Sequence, residues 1–237
     1  MSNTLNIEEI KDKMIAKLEP SGWARILRGF IYSKDFENII TTLASQSRDG
    51  KRFTPPMKDW FRAFEECPYD QLKVVIVGQD PYPQVDIADG ISFSCSKTGK
   101  VQPSLDYIFK EIERTVYGGF PSYQDPDLKR WSNQGVLLLN TALTTSVGKI
   151  GQHYLIWQPF TAYVLDWLSW YNPGMVYIFM GKKASEWADA INDNCYKFHV
   201  MHPASASYNS QEQWDSKNVF VEARDIVKKL YNFDLIW

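Results

Sequence analysis

The chain has 237 residues, of which 44% are hydrophobic and 23% charged, and its net charge is −2. That size and balance exclude an intrinsically disordered chain and predict one domain, or at most two, with a core of ordinary size. Near-neutral charge excludes a histone-like attraction of the whole surface to nucleic acid, so a nucleic-acid ligand would need a local groove.

Residues 1–15, beginning MSNTLNIEEIKDKM, read as a loose N-terminal arm, and they lack the apolar stretch of a secretion signal. Residues 16–237 read as a single domain. A helix is expected around Met57–Glu66. The first strand is Val74–Val77, closed by Gly78-Gln79-Asp80-Pro81-Tyr82-Pro83. In PSLDYIFKEIERTVYGG, Leu105, Ile108, Phe109, Ile112 and Val116 fall on one helix face, with Ser104 as the expected cap and Gly118-Gly119 as the stop. The second strand is Val136–Leu139, followed by Asn140. A helix with Phe160, Val164, Trp167 and Leu168 inward then ends at Asn172-Pro173-Gly174. The third strand, Met175–Met180, runs into Gly181-Lys182-Lys183 and the helical ASEWADAIND. The fourth, Phe198–Met201, runs into His202-Pro203-Ala204-Ser205-Ala206-Ser207, and FVEARDIVKKL supplies a last helix.

Strands of nearly continuous apolar residues alternating with helices predict an α/β fold, a central four-stranded, mainly parallel sheet flanked by helices on both faces. Such sheets bind ligands beyond the carboxyl ends of their strands. Three cysteines with no close pair, Cys67, Cys95 and Cys195, argue against a disulfide framework and against a cysteine-rich metal site. No apolar run approaches the roughly 20 residues needed to cross a bilayer. The expectation is an intracellular, cytoplasmic monomer, or a nuclear or host-cell protein if the source is eukaryotic or viral, with no membrane partner.

Parallel neighbours would bring Asp80, Asn140, His202 and the Lys182 helix start to one sheet edge. Alone, each has a plain structural reading: Asp and Asn close turns, a lone His is usually a satisfied structural residue, and surface lysines are solvated. Together they suit one chemistry. An ordinary O-glycosidase uses two carboxyl groups because its leaving alcohol needs a proton. A leaving group that departs as a stabilised anion does not, and a neutral His can hold the developing charge by a hydrogen bond. Asp80 would then support a cationic sugar and orient water. Asn140 matches the edge of an imide or pyrimidine, and Phe93 in DGISFSC can stack on it. These roles point to cleavage of a base–sugar bond.

The motifs GQDPYP, GISFS, PSL, GVLLLNTALT and HPAS occur in order, and from Lys73 to Ala223 the chain resembles the main uracil-DNA glycosylase family. The resemblance implies a DNA repair enzyme that flips uracil out of single- or double-stranded DNA and hydrolyses its N-glycosidic bond. It needs no metal or cofactor, and it leaves free uracil and an abasic site. It further implies that Asp80 assists the water and the sugar cation, and that His202 stabilises the uracil anion. Gln79, Tyr82, Phe93 and Asn140 would bind uracil, Tyr82 by excluding the methyl of thymine. Pro81, Ser104, Pro203 and Ser205 would grip the flanking DNA.

The family pattern is broken in several places. Pro83 replaces a phosphate-holding His, Ala204 a Ser, and Ala206 the Leu that wedges into the vacated stack; Lys182 stands where a Ser is typical. Tyr208 is the nearest large side chain to serve as a substitute wedge, and Lys182 can return a phosphate contact as charge. A weakened wedge predicts a preference for single strands or flexible sites. A protein inhibitor or replication partner is a further expectation. The competing readings are a DNA-binding or replication-associated protein of the same fold with weakened catalysis, and a hydrolase of free nucleosides. No Gly-rich phosphate loop follows any strand, which disfavours a nucleotide-binding fold.

Overall fold

A computed structural model describes residues 6–208 and 213–237, leaving aside the side chains of Ser207 and Tyr208. In chain order the elements are α1 Ile7–Leu18, α2 Ala24–Ile31, α3 Lys34–Arg48, β1 Phe53–Thr54, α4 Arg62–Glu65, β2 Val74–Gly78, α5 Pro103–Thr115 and α6 Lys129–Ser132. They continue with β3 Val136–Asn140, β4 Thr145–Ser146, α7 Tyr154–Tyr171, β5 Val176–Met180, α8 Lys182–Ser185, β6 Tyr196–Val200, α9 Ala204–Tyr208 and α10 Val219–Tyr231.

The main sheet has the order β3-β2-β5-β6, and every pairing in it is parallel. Every residue of β2, β3 and β5 is buried, as the uninterrupted apolar runs require when helices cover both faces. The edge strand β6 is different. It reads YKFHV with exposed Tyr196 and His199, and it begins two residues and ends one residue earlier than its apolar stretch suggested, leaving Met201 exposed beyond its end. β3 is the other edge strand and is fully buried, whereas β6 meets solvent along most of its length, so apolar continuity marks β6 poorly.

Several local expectations are corrected. From Ile7 onward the expected arm is helix α1, capped by the Asn6 side chain on the Glu9 amide and burying Met14, Ile15 and Leu18. Ser104 does not cap α5: Pro103 takes the first helical position, Gln102 precedes it, and Ser104 is buried in the first turn. The helix expected over Met57–Glu66 is a short 3₁₀ turn at Met57–Asp59 followed by α4. ASEWADAIND is likewise divided, because after α8 the Trp187 amide bonds the Ala184 carbonyl and the chain tightens into a 3₁₀ turn at Ala188–Ala190.

Candidate active site

The parallel register sets Gly78 opposite Asn140, so the ends of β2 and β3 are level. Gly78 has to be glycine, since an added Cβ would lie 2.2 Å from Ser92 Oγ and 2.6 Å from Asn140 Oδ1. Asn140 is 8% exposed, and its Oδ1 accepts a 2.7 Å hydrogen bond from Ser92 Oγ. One buried hydroxyl therefore orients the amide, leaving Nδ2 and a second Oδ1 lone pair for a ligand. The Gln79 carbonyl accepts from Thr141 Oγ1 at 2.7 Å and from the Ala142 amide at 3.1 Å, which clamps the chain just before Asp80.

Asp80 is held through both oxygens. The Gly151 amide donates to Oδ2 at 2.6 Å and Tyr154 Oη donates to Oδ1 at 3.2 Å. Burial raises its pKa above the ordinary carboxylate value, and these donors work against that rise. The same burial, with the charge of Asp80 beside it, raises the Tyr154 phenol, so Tyr154 stays a proton donor.

The loop over residues 89–96 brings Phe93 to this edge. Buried Asp89 accepts from Ser94 Oγ, from Ser96 and from the Ile91 amide, and pairs with Arg62 at 2.8 Å, which also grips Asp127 at 2.8 Å. Phe93 sits at φ +65°, a conformation a bulky residue adopts only when its surroundings impose it. Tyr82 Oη donates to the Phe93 carbonyl at 3.1 Å, tying the first motif to the aromatic platform.

His202 completes the group. Its ring centroid lies 5.7 Å from that of Phe93. Gly181, at φ +99°, is flanked by Gln79 and His202: a Cβ there would be 2.6 Å from Gln79 Nε2 and 3.0 Å from His202 Cβ. Burial lowers the His202 pKa to about 4, so the ring is neutral at physiological pH. The Ala204 amide donates to Nδ1 at 3.2 Å, which requires a lone pair there and puts the ring proton on Nε2. Nε2–H has no protein acceptor among the described residues.

The structure thus brings Gln79, Asp80, Tyr82, Phe93, Asn140 and His202 to one edge of the sheet. Of the expected DNA-gripping residues, Pro81 and Pro203 are buried anchors, Ser104 is 7% exposed, and Ser205 is half-buried in the turn after His202. Lys182 is exposed at the start of α8. The Tyr208 side chain, expected as a wedge, lies outside the described residues. Ala206 is fully buried, because the segment after His202 winds into α9 and turns that position inward. Sequence reasoning missed Ser92, Gly151 and Tyr154. Only Gly78 and Gly181, at strand ends, carried any signal of close approach.

A sequence model of the Uracil DNA glycosylase superfamily matches residues 64–228. The chain is 34% identical to the uracil-DNA glycosylase of Borreliella burgdorferi over 220 residues, covering 91% of this chain and 96% of that one. It is 38% identical to that of Yersinia pestis over 177 residues, 73% of this chain and 76% of the relative. Among solved structures, mimivirus uracil-DNA glycosylase superposes with a TM-score of 0.80 at 22% identity, over 94% of this chain and 88% of that one. A mimivirus UNG variant in complex with UGI gives 0.79 at 23% identity, over 91% and 87%. The chain belongs to the Uracil DNA glycosylase superfamily.

Proposed function

We propose that the protein excises uracil from DNA, flipping the base out of the stack and hydrolysing its N-glycosidic bond to leave free uracil and an abasic site. Membership of the family and the uracil-DNA glycosylase names of its relatives support the activity. The observation that carries the residue roles is the fixed tautomer of His202, a neutral ring whose Nε2–H is left over as a donor.

In this reading the C1′–N1 bond breaks with its electron pair going to the base, and the charge spreads onto the ring oxygens. Nε2–H of His202 donates to that developing anion without giving up its proton. Asp80, ionised and oriented by Gly151 and Tyr154, faces the oxocarbenium-like sugar and positions water. The water oxygen bonds C1′, its proton passes to the Asp80 carboxylate and on to solvent, and the departing uracil anion takes a proton from solvent. Asn140 pairs with the uracil edge, Phe93 stacks on the ring, and Tyr82 closes the space that a thymine methyl would need. Extrusion of the base costs a few kcal/mol, and burial of Ala206 leaves that position unable to fill the gap, which favours single-stranded or flexible sites. Pro81, Ser104, Pro203, Ser205 and Lys182 hold the flanking strand. The protein works as a monomer, without metal, in the compartment that holds the DNA, and a protein inhibitor of the UGI kind is a candidate partner for the same face.

Incubation with a uracil-bearing oligonucleotide in EDTA should yield abasic sites, fastest on single strands, then U·G, then U·A. No abasic product on any substrate refutes the activity, and equal rates on all three refute the weak wedge.

A further inference from the structure

A second concavity lies beside the site, with a volume of about 250 Å³ and walls formed by Gln46, Lys51, Arg52, Ser146, Lys149 and His153, among others. Three of these are cations and none is acidic, in a chain whose acidic side chains outnumber its basic ones, 28 to 26. Lys51, Arg52 and Lys149 are exposed, and none forms an ion pair among the described residues. Burial, helped by the repulsion of the Lys51 charge against a protonated ring, lowers the His153 pKa to about 4, so the concavity's charge comes from the three long side chains.

Their backbones are locked together. β1 and β4 pair antiparallel, with Phe53 opposite Ser146 and Thr54 opposite Thr145. The Val147 amide donates to the Arg52 carbonyl at 2.9 Å, and Thr145 Oγ1 donates to the Lys149 carbonyl at 2.7 Å. Like charges held near one another repel, and no ion pair among the described residues neutralises them. The loop that carries Lys149 also reaches the reaction centre: the Gly148 amide donates to the Pro83 carbonyl at 2.9 Å, and the Gly151 amide holds Asp80. Lys149 stands between these two contacts.

We infer that Lys51, Arg52 and Lys149 form a binding site for backbone phosphates of the substrate strand flanking the extruded nucleotide, a cationic track continuous with the loop that positions Asp80. This rests on the proposed activity on DNA. It adds charge to the grip expected of Ser104, Ser205 and the prolines, because each phosphate these cations neutralise releases condensed counterions and steepens the salt dependence. The neutral His153 serves as floor and spacer.

The test is the combined variant Lys51→Gln, Arg52→Gln, Lys149→Gln, set against Lys51→Arg, Lys149→Arg, on single-stranded oligonucleotides with one uracil and either short or long flanks. With long flanks the Gln variant should raise KM about tenfold at low salt, and the plot of log kcat/KM against log salt should flatten by about 1 to 2. The gain that the wild type draws from lengthening the flanks should be lost, while the Arg variant keeps both. An unchanged slope and length dependence in the Gln variant, with an unchanged melting temperature, overturns the inference. So does a loss equal on short and long flanks, which would report the general field of the protein. If the wild type releases no uracil from any substrate, the proposed activity fails; anisotropy binding of uracil-free strands of the same lengths still reads the track, expected weaker for the Gln variant, with equal affinity overturning it.

Discussion

His202, just beyond β6, and His153, at the start of α7, have the same low pKa of about 4, in each case chiefly from burial. Their ring nitrogens are used differently. His153 Nδ1 meets Thr144 Oγ1 at 2.8 Å, and Nε2 has Gln46 Oε1 at 3.2 Å and Ser146 Oγ at 3.3 Å. Gln46 Oε1 only accepts, so the proton is on Nε2 and Nδ1 accepts from Thr144, whose oxygen in turn accepts from Trp157 Nε1 at 2.7 Å. Every polar atom of that ring is spoken for. His202 is satisfied on Nδ1 alone. A perturbed pKa therefore marks both, and an unspent donor at the sheet edge separates the ring proposed to react from the structural one.

The largest expected break in this pairing is in catalysis. His202→Leu should lower kcat by about 10²- to 10³-fold, the usual loss for one donor to a developing anion, with the melting temperature nearly unchanged. His153→Leu should do the reverse, destabilising the fold by about 1–3 kcal/mol in denaturant titration because Gln46 and Thr144 lose their partner, with kcat per folded molecule changed only a few-fold. If His153→Leu proves the more damaging to kcat, the assignment of roles is wrong.

A smaller effect sharpens the same contrast on the carboxylate side. Tyr154→Phe removes one of the donors on Asp80 and leaves the Gly151 amide, so kcat should fall about tenfold. The acid limb of the kcat/KM profile should move to higher pH, because losing a donor to the charged form lets burial raise the Asp80 pKa further. A lower kcat with an unmoved acid limb would make Tyr154 a packing residue only.

The last effect is the most gradual, being spread over a pH window, and it is in acid stability. Both histidines have a folded pKa of about 4 against 6.5 as the reference, so the unfolded chain takes up their protons first. Their contribution is complete above about pH 6.5 and is lost as pH falls toward 4. Asp80 has the opposite sign: its raised folded pKa lets the native state bind that proton first, easing the loss. Denaturant titrations across this window should show the slope of unfolding free energy against pH reduced in His153→Gln by about 1.4 kcal/mol per pH unit, one proton's share. An unaltered slope would mean that His153 is not the buried neutral ring described.

The strand-end groups Asp80, Asn140 and His202 were legible in the sequence because parallel strands put consecutive end residues on one edge, and three of the four strands are continuous apolar runs. What holds those groups was not legible. Tyr154 and Gly151 lie more than 70 residues from Asp80, and Ser92 is 48 from Asn140. Nothing in local periodicity encodes a contact that only the closed tertiary fold creates. β6 differs from its apolar stretch because solvent along it relaxes the apolar pattern, and the helix after Gly181 divides where the Trp187 amide turns to the Ala184 carbonyl. Ala206 stands where the family pattern has a wedging Leu, and only the winding of α9 reveals that it faces the interior.

That inward turn has a bearing on protein engineering. Grafting a leucine at position 206 to mimic a relative would drive three extra carbons into packed interior, an insult of about 1–3 kcal/mol, and would put nothing into the duplex. A leucine meant for the emptied base step belongs at a position that α9 turns outward.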